Sequence, residues 1–525
     1  MSTFGAAMRL LRAGFVMARH DALLPREYHA LLPVWARAAA RLSRVVAKPE
    51  RAANPGERFA RALEQLGPTY VKLGQFLSTR ADILEPRFAA GLARLKDNAP
   101  RFPRAEALTA IEAEFGRPAD DVYASFGEAV AAASVAQVHR AALPGPEGGE
   151  GAAVAVKILR PGVEARMARD VESFRLAARL LERFAPAARR MEPRAFVETL
   201  ARSLALEIDL RLEAAAASEM AEIAACFEGF RVPMPDWPRC GRRVMTTTWI
   251  EGAPLSNPGA AVSVGADPKA LAAKVMEVFL SSALEHGVFH ADMHEGNLFV
   301  APDGALVLVD FGIMGRLGAA ERRYLADIIY GFLERDYERA AAAHFEAGYV
   351  PGDFARAEFA AALRAVGEPI FGKTAREVPM SRVLLQLFEI TELFNMRLRP
   401  ELILLQKTMV QAEGVARTLD PELDIWAVSR PVVERFLRSE LGAEAALEDA
   451  AHDLRRLRAA ARNLPRTMED VSAMAAAWRN GAIALDPATM DALSRRIGRS
   501  RRGTTLALWV MALAALAVSL TVWLG

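Results

Sequence analysis

Residues 287–300 read GVFHADMHEGNLFV, residues 301–309 make a short hairpin-like stretch, and Asp310-Phe311-Gly312 follows. Asp292 and Asn297 stand five positions apart, and Asp310 comes thirteen after Asn297. Two carboxylates and an amide are hard oxygen donors, the kind that hold Mg2+ on a triphosphate while the protein supplies position and charge. A second reading takes His290, Asp292 and His294, at alternate positions, as ligands of a zinc or iron hydrolase. No other His/Asp cluster in the sequence completes that set, and it leaves Asn297 and Asp310-Phe311-Gly312 without a role. The ordered set points instead to phosphoryl transfer, with Asp292 facing an acceptor hydroxyl and Asn297 and Asp310 on magnesium.

The same order and spacing occur in protein-kinase catalytic loops, and the upstream sequence fits that reading. Val154-Ala155-Val156-Lys157 lies in a short apolar β run and puts a cation among apolar residues. An ammonium there needs an anion, either nucleotide phosphate or a helix carboxylate. Residues 192–224 read as a helix that offers Glu207, Asp209 and Glu213. Val130–Val138 and Val154–Leu159 read as β runs joined by the Pro- and Gly-rich stretch 144–151. A kinase would place a glycine-rich loop over the phosphates; this chain has Ala131, Ala132, Ala133, Ser134, Val135 and Ala136, a stiffer segment or simply a buried strand. Residues 243–252 end a β run and enter a turn, where a protein kinase would present its hinge to adenine, and that likeness implies Met245 and Thr247 at the pocket. The expected fold is α+β, a two-lobed protein-kinase-like fold with an N-terminal helical extension and a C-terminal transmembrane helix. The segments are 1–55 (basic helical), 56–117 (helical extension), 118–250 (N-lobe), 251–430 (helical C-lobe), 431–503 (helical linker) and 504–524 (membrane helix).

Within the extension, Lys72, Gln75, Thr79 and Asp82 share one helix face, the pattern of an ordinary solvated stripe. Bulk charge is uninformative: 66 basic and 64 acidic residues give +2, and nothing indicates nucleic acid. Two cysteines, Cys226 and Cys240, exclude a disulfide framework and suit a reducing cytoplasm. Residues 504–524 carry no charge over 21 positions, about 31 Å as a helix and enough to span a bilayer. Arg495, Arg496, Arg499, Arg501 and Arg502 precede them and predict that everything N-terminal stays cytoplasmic. This gives a single-pass C-terminal anchor in the bacterial inner membrane, in contact with anionic lipid. Near the start, Phe4, Met8, Leu11, Phe15 and Val16 recur at helical spacing among arginines, consistent with either a lipid-resting helix or one packed on the body.

Taken together, Lys72-x-Gly74-Gln75, the alanine segment through His139, Lys157, Glu207-x-Asp209, His290-x-Asp292-x-His294-x-Gly296-Asn297 and Asp310-Phe311-Gly312 resemble the UbiB/ADCK family of atypical kinases. The resemblance runs over roughly 60–425 and implies ATP and Mg2+ as cofactors and a role in ubiquinone biosynthesis. It implies that Lys157 binds phosphates and pairs with Glu213, and that Lys72 and Gln75 lie over the cleft and meet Glu207 and Asp209. The extension would fill the space where a peptide docks, so the expected partners are quinone-biosynthesis enzymes or lipid precursors. The expected activity is an ATPase or small-molecule kinase. A nucleotide-gated scaffold and a conventional protein kinase are the alternatives.

Overall fold

Small and branched residues alternating between Ser125 and Thr248 build an antiparallel sheet in the computed structural model. The structure describes residues 3–22, 55–78, 91–92, 95, 100–145, 149–184, 192–257, 259–369, 386, 389–390, 393–396 and 400–441. The chain divides into two units, Met1–Arg438 and Ser439–Gly525, and the elements below belong to the first, the last of them ending just past it. The sheet orders β1 (Ser125–Ala132), β2 (Ala136–Pro144), β3 (Glu150–Leu159) and β5 (Val244–Thr248), with β4 (Phe230–Arg231) in a second sheet. Because side chains alternate along a strand, the first sheet has two distinct faces. One buries Val154, Val156, Ile158 and Val244 with Ala107 and Ile111 of a helix over Arg104–Phe115. The other carries Lys157, registered across the sheet with Val138 and Met245.

The helices are α1 (Thr3–Arg19), α2 (Pro55–Leu66), α3 (Pro68–Ser78), α4 (Arg104–Phe115), α5 (Val163–Phe184), α6 (Pro193–Glu207) and α7 (Leu210–Ala224). Gly67, at φ +106°, makes the break between α2 and α3. Leu63, Tyr70, Phe174, Leu200 and Met245 lie in one cluster joining these helices to the Lys157 face. Tyr70 meets Phe174 edge-on at 5.0 Å, and Thr69 donates a buried 2.7 Å hydrogen bond to Asp170.

The second half is mostly helical, around α8 (Pro268–Ser281), whose Leu271, Val275, Met276, Phe279 and Leu280 are all buried, as suits a helix surrounded by core. Short strands β6 (Ala253–Pro254), β8 (Leu298–Val300) and β9 (Leu306–Leu308) complete the second sheet in the order β4-β9-β8-β6. Strands β7 (Val288–His290) and β10 (Met314–Arg316) pair as a ribbon. Then come α9 (Ala319–Leu333), α10 (Tyr337–Glu346), α11 (Arg356–Gly367), α12 (Pro400–Leu419) and α13 (Ile425–Leu441).

Two expectations change here, and a third, left open between two alternatives, gains detail. The helix expected over 192–224 is two helices, because Asp209 caps the second: its side chain accepts from the Arg211 backbone N–H. The β run expected over Val130–Val138 is broken by a turn, with the Ala133 N–H bonded to the Ala136 carbonyl at 2.8 Å. On α1, Val16 is buried while Phe4, Met8, Leu11 and Phe15 are exposed, the reverse of a helix that buries its large apolar stripe; small Ala6 and Ala13 make the inner face. Residues 504–524, Thr79 and Asp82 lie outside the described residues. Among those described, no helix is long and apolar enough to cross a membrane.

Candidate active site

Strand β3 delivers Lys157, the first turn of α7 delivers Glu213, and the Asp310-Phe311-Gly312 turn delivers Asp310. The Lys157 ammonium lies 2.5 Å from Glu213 Oε1 and 2.8 Å from Asp310 Oδ1. Lys157 holds the Asp310 carboxyl well below the usual carboxylate range, against the opposing effect of burial. Burial pushes Glu213 up, to about 7, although Lys157 pulls the other way. One cation thus holds two acids: it favours the ionised form of both, and burial opposes this most strongly at Glu213. Asp310 takes φ +64°, a left-handed conformation that costs a non-glycine residue on the order of 1 kcal/mol. That strain is compatible with Asp, which visits this region more readily than most residues.

His290 locks this turn to the loop that carries Asp292. Its Nδ1 accepts the Asp292 backbone N–H at 3.1 Å, so the proton sits on Nε2, which donates to the Asp310 carbonyl at 2.6 Å. Burial lowers the His290 pKa and keeps the ring neutral. With both ring nitrogens engaged by backbone, His290 is no metal ligand, which removes the hydrolase reading. Asn297 donates from Nδ2 to the Asp292 carbonyl at 3.0 Å, so its amide oxygen faces the other way as a hard donor. Asn297 and the charged Asp310 fit magnesium on chemical type, and both are the residues expected for it. Bound magnesium would offset charge on the phosphates of a nucleotide.

The extension reaches this cleft. Lys72 on α3 is buried and ion-paired with Glu207 at the end of α6. Its charge acts on Asp310 as well, adding to Lys157. Gln75 lies one turn further along α3, partly buried. Gly74 sits where a Cβ would come 2.3 Å from Leu95 and 2.5 Å from Leu63, so the glycine of this motif serves close packing. Asp209 does not join the group: its carboxylate is engaged by the Arg211 backbone and guanidinium at 2.6–3.2 Å.

The alanine segment is the turn between β1 and β2. Ala131 and Ala132 end β1, and Ala131 registers with Val138, in line with Lys157. Arg160 donates twice to the Ala133 carbonyl, at 3.1 and 3.0 Å, while Ser134, Val135 and Ala136 are buried. Beside the turn, Gln137 bonds the Phe102 backbone at both its N–H and carbonyl and reaches His139 at 2.8 Å. The loop is therefore held by side chains, where a glycine-rich loop would be free. Met245 and Thr247 occupy alternate positions of β5 and are buried, Met245 opposite Lys157.

Sequence reading missed two residues. Lys407 Nζ and Gln411 Nε2, both on α12, donate to Asp292 Oδ1 at 3.2 and 2.9 Å. Their i, i+4 spacing on an otherwise apolar helix face is the only local signal, and it names no partner.

A β-strand lysine, a helix glutamate, an Asp–Asn loop and an Asp-Phe-Gly turn, set between a sheet and a helical half, define an atypical kinase-like protein. Residues 94–344 match the ABC1 atypical kinase-like domain, and residues 363–424 match the UbiB helical domain. The chain is 37% identical over 480 residues to the probable protein kinase UbiB of Azotobacter vinelandii, covering 89% of this chain and 87% of that one. It is 37% identical over 475 residues to the probable protein kinase UbiB of Xanthomonas axonopodis pv. citri, covering 88% and 84%. The chain belongs to the UbiB family. The fold is also that of Rv3197 from Mycobacterium tuberculosis, solved in complex with erythromycin. That match has a TM-score of 0.51 and 23% identity, over 76% of this chain and 96% of that one.

Proposed function

We infer that this chain binds Mg-ATP at Lys157, Asn297 and Asp310 and hydrolyses it or transfers its terminal phosphoryl group to a small acceptor, in support of ubiquinone biosynthesis at the bacterial inner membrane. The observation that carries the reading is the Lys157–Glu213–Asp310 contact, which assembles the phosphate-binding cation and an ionised metal-binding acid. Asp292 supplies a carboxylate for the incoming hydroxyl or water: the new O–P bond forms as the β–γ bridge breaks, ADP departs, and the acceptor proton passes to the carboxylate and on to solvent. Lys72, buried beside the cleft on the added helix α3, favours a small acceptor over a peptide. The uncharged stretch 504–524 behind five arginines supports the membrane location.

Asp310→Asn tests the reading, because Asn tolerates the same backbone conformation while removing the charge. Calorimetry with the full chain should show magnesium-dependent nucleotide binding lost with the fold retained. Unchanged binding would refute the assignment.

A further inference from the structure

The catalytic loop has a gap in its chemistry that a distant helix fills. Between His290 and Asn297 there is no lysine or arginine, so the loop itself places no permanent cation beside Asp292. The nearest loop group is His294, whose Nδ1 accepts the Gly296 backbone N–H at 2.9 Å and whose Nε2 stands 3.7 Å from Asp292 Oδ2. Both strong donors to Asp292 come from α12, more than a hundred residues later: Lys407 at 3.2 Å and Gln411 at 2.9 Å, both on Oδ1.

The placement is built and not incidental. Leu405, Thr408, Ala412, Val415 and Ala416 of α12 are buried, the apolar ones in the same core as α8, which fixes the rotation of the helix. Lys407 and Gln411 then share the side facing the loop. A third contact, from the Thr418 hydroxyl to Glu295 at 3.1 Å, ties the last turn of α12 to the same loop. The Gln411 amide is oriented one way only: its Oε1 is buried with no hydrogen-bond partner, yet flipping it would set oxygen against the Asp292 carboxylate.

We propose that Lys407 and Gln411 are positioning residues for phosphoryl transfer, and that α12 is part of the active site. By engaging Oδ1 together they fix the carboxylate plane and leave Oδ2, beside His294, as the face presented to the acceptor hydroxyl or water. The proposal rests on the phosphoryl-transfer reading given above. It adds that the helical region beyond the kinase-like domain sets the geometry of the reacting carboxylate.

The test uses the full chain in detergent, with Lys407→Met, Lys407→Arg and Gln411→Ala, and reads Mg-ATP binding by calorimetry alongside kcat and KM for ATP hydrolysis. Misplacing a reacting carboxylate by a fraction of an ångström should lower kcat roughly 10- to 100-fold. In Lys407→Met we expect that loss with nucleotide affinity within about twofold of the parent, a partial return in Lys407→Arg, and a smaller loss in Gln411→Ala. If Lys407→Met fails to fold, Lys407→Arg and Gln411→Ala decide by the same split. Normal binding with unchanged kcat would overturn the positioning role, as would an effect confined to KM. Absence of Mg-ATP binding in the unsubstituted chain would instead overturn the phosphoryl-transfer reading, and the proposal with it. A readout independent of nucleotide is the shift in melting temperature: Lys407→Met should lower it in the parent but not in an Asp292→Asn background. Equal shifts in both would show that the two side chains do not interact.

Discussion

Removing the Lys157 ammonium should leave a buried acid without its counter-charge, and the energetic consequence can be worked out from the site. Glu213 is 8% exposed and already has its pKa raised from 4.5 to about 7 with the ammonium 2.5 Å away. In Lys157→Met it should rise further, so that near neutrality the folded protein holds a proton there that the unfolded chain has released. Each further pKa unit of rise above the parent's value corresponds to about 1.4 kcal/mol of lost stability at pH above the variant's folded pKa, so a rise of about two units would cost about 3 kcal/mol, consistent with the cost of breaking a buried pair from one side. The sign follows from proton uptake. Above pH 4.5 the folded state of the variant binds more protons at this residue than the unfolded state, so stability falls as pH rises through the folded pKa. Urea unfolding of the full chain, followed by tryptophan fluorescence between pH 8 and 9, should show the variant declining by up to about 1.4 kcal/mol per pH unit, with the parent, already past its own folded pKa, nearly flat in that window. Adding Glu213→Leu should abolish the decline and recover most of the loss. A pH-independent deficit, or a double variant no better than the single, would refute the reasoning.

Two further outcomes follow from the packing. At Gly315 an added Cβ would lie 2.1 Å from the ring of Phe289, which is fully buried and edge-on to Phe279, so Gly315→Ala should cost about 2 kcal/mol and lower the melting temperature. His344 is buried against Phe359 with Nδ1 donating to the Ala340 carbonyl, and burial lowers its pKa to about 4. The unfolded chain therefore takes up a proton before the folded one, and stability should drop by up to about 1.4 kcal/mol per unit as pH falls from 6.5 toward 4. His344→Phe should flatten that acid limb in melting curves; an unchanged limb would assign it to other groups.

What the sequence made legible is the part of the site that sits on contiguous motifs. Lys157 could be found because a cation flanked by apolar strand residues asks for an anion, and Asp292, Asn297 and Asp310 because their order and spacing leave few other uses. Among Glu207, Asp209 and Glu213 the residues alone do not choose a partner for Lys157; the family resemblance implies Glu213, and the structure brings the two together. Asp209 misled because an acid opening a helix serves equally well as a cap, and periodicity alone does not mark where one helix ends and another begins. The alanine turn was hidden because alanine carries no turn signal; what holds it, Arg160 and Gln137, reaches in from neighbouring segments. Lys407 and Gln411 were out of reach for the same reason on a larger scale, since only tertiary packing brings α12 to the loop.

The two-handed grip of His290 has a further consequence for pharmacology. A compound that works by swinging Phe311 out of its seat must turn the Asp310 peptide, and that peptide is tethered through a buried imidazole to the amide of Asp292. Such a molecule would have to break the tether and drag the Asp292 loop along with it. Ligands that leave this hinge undisturbed should therefore be the easier ones to find.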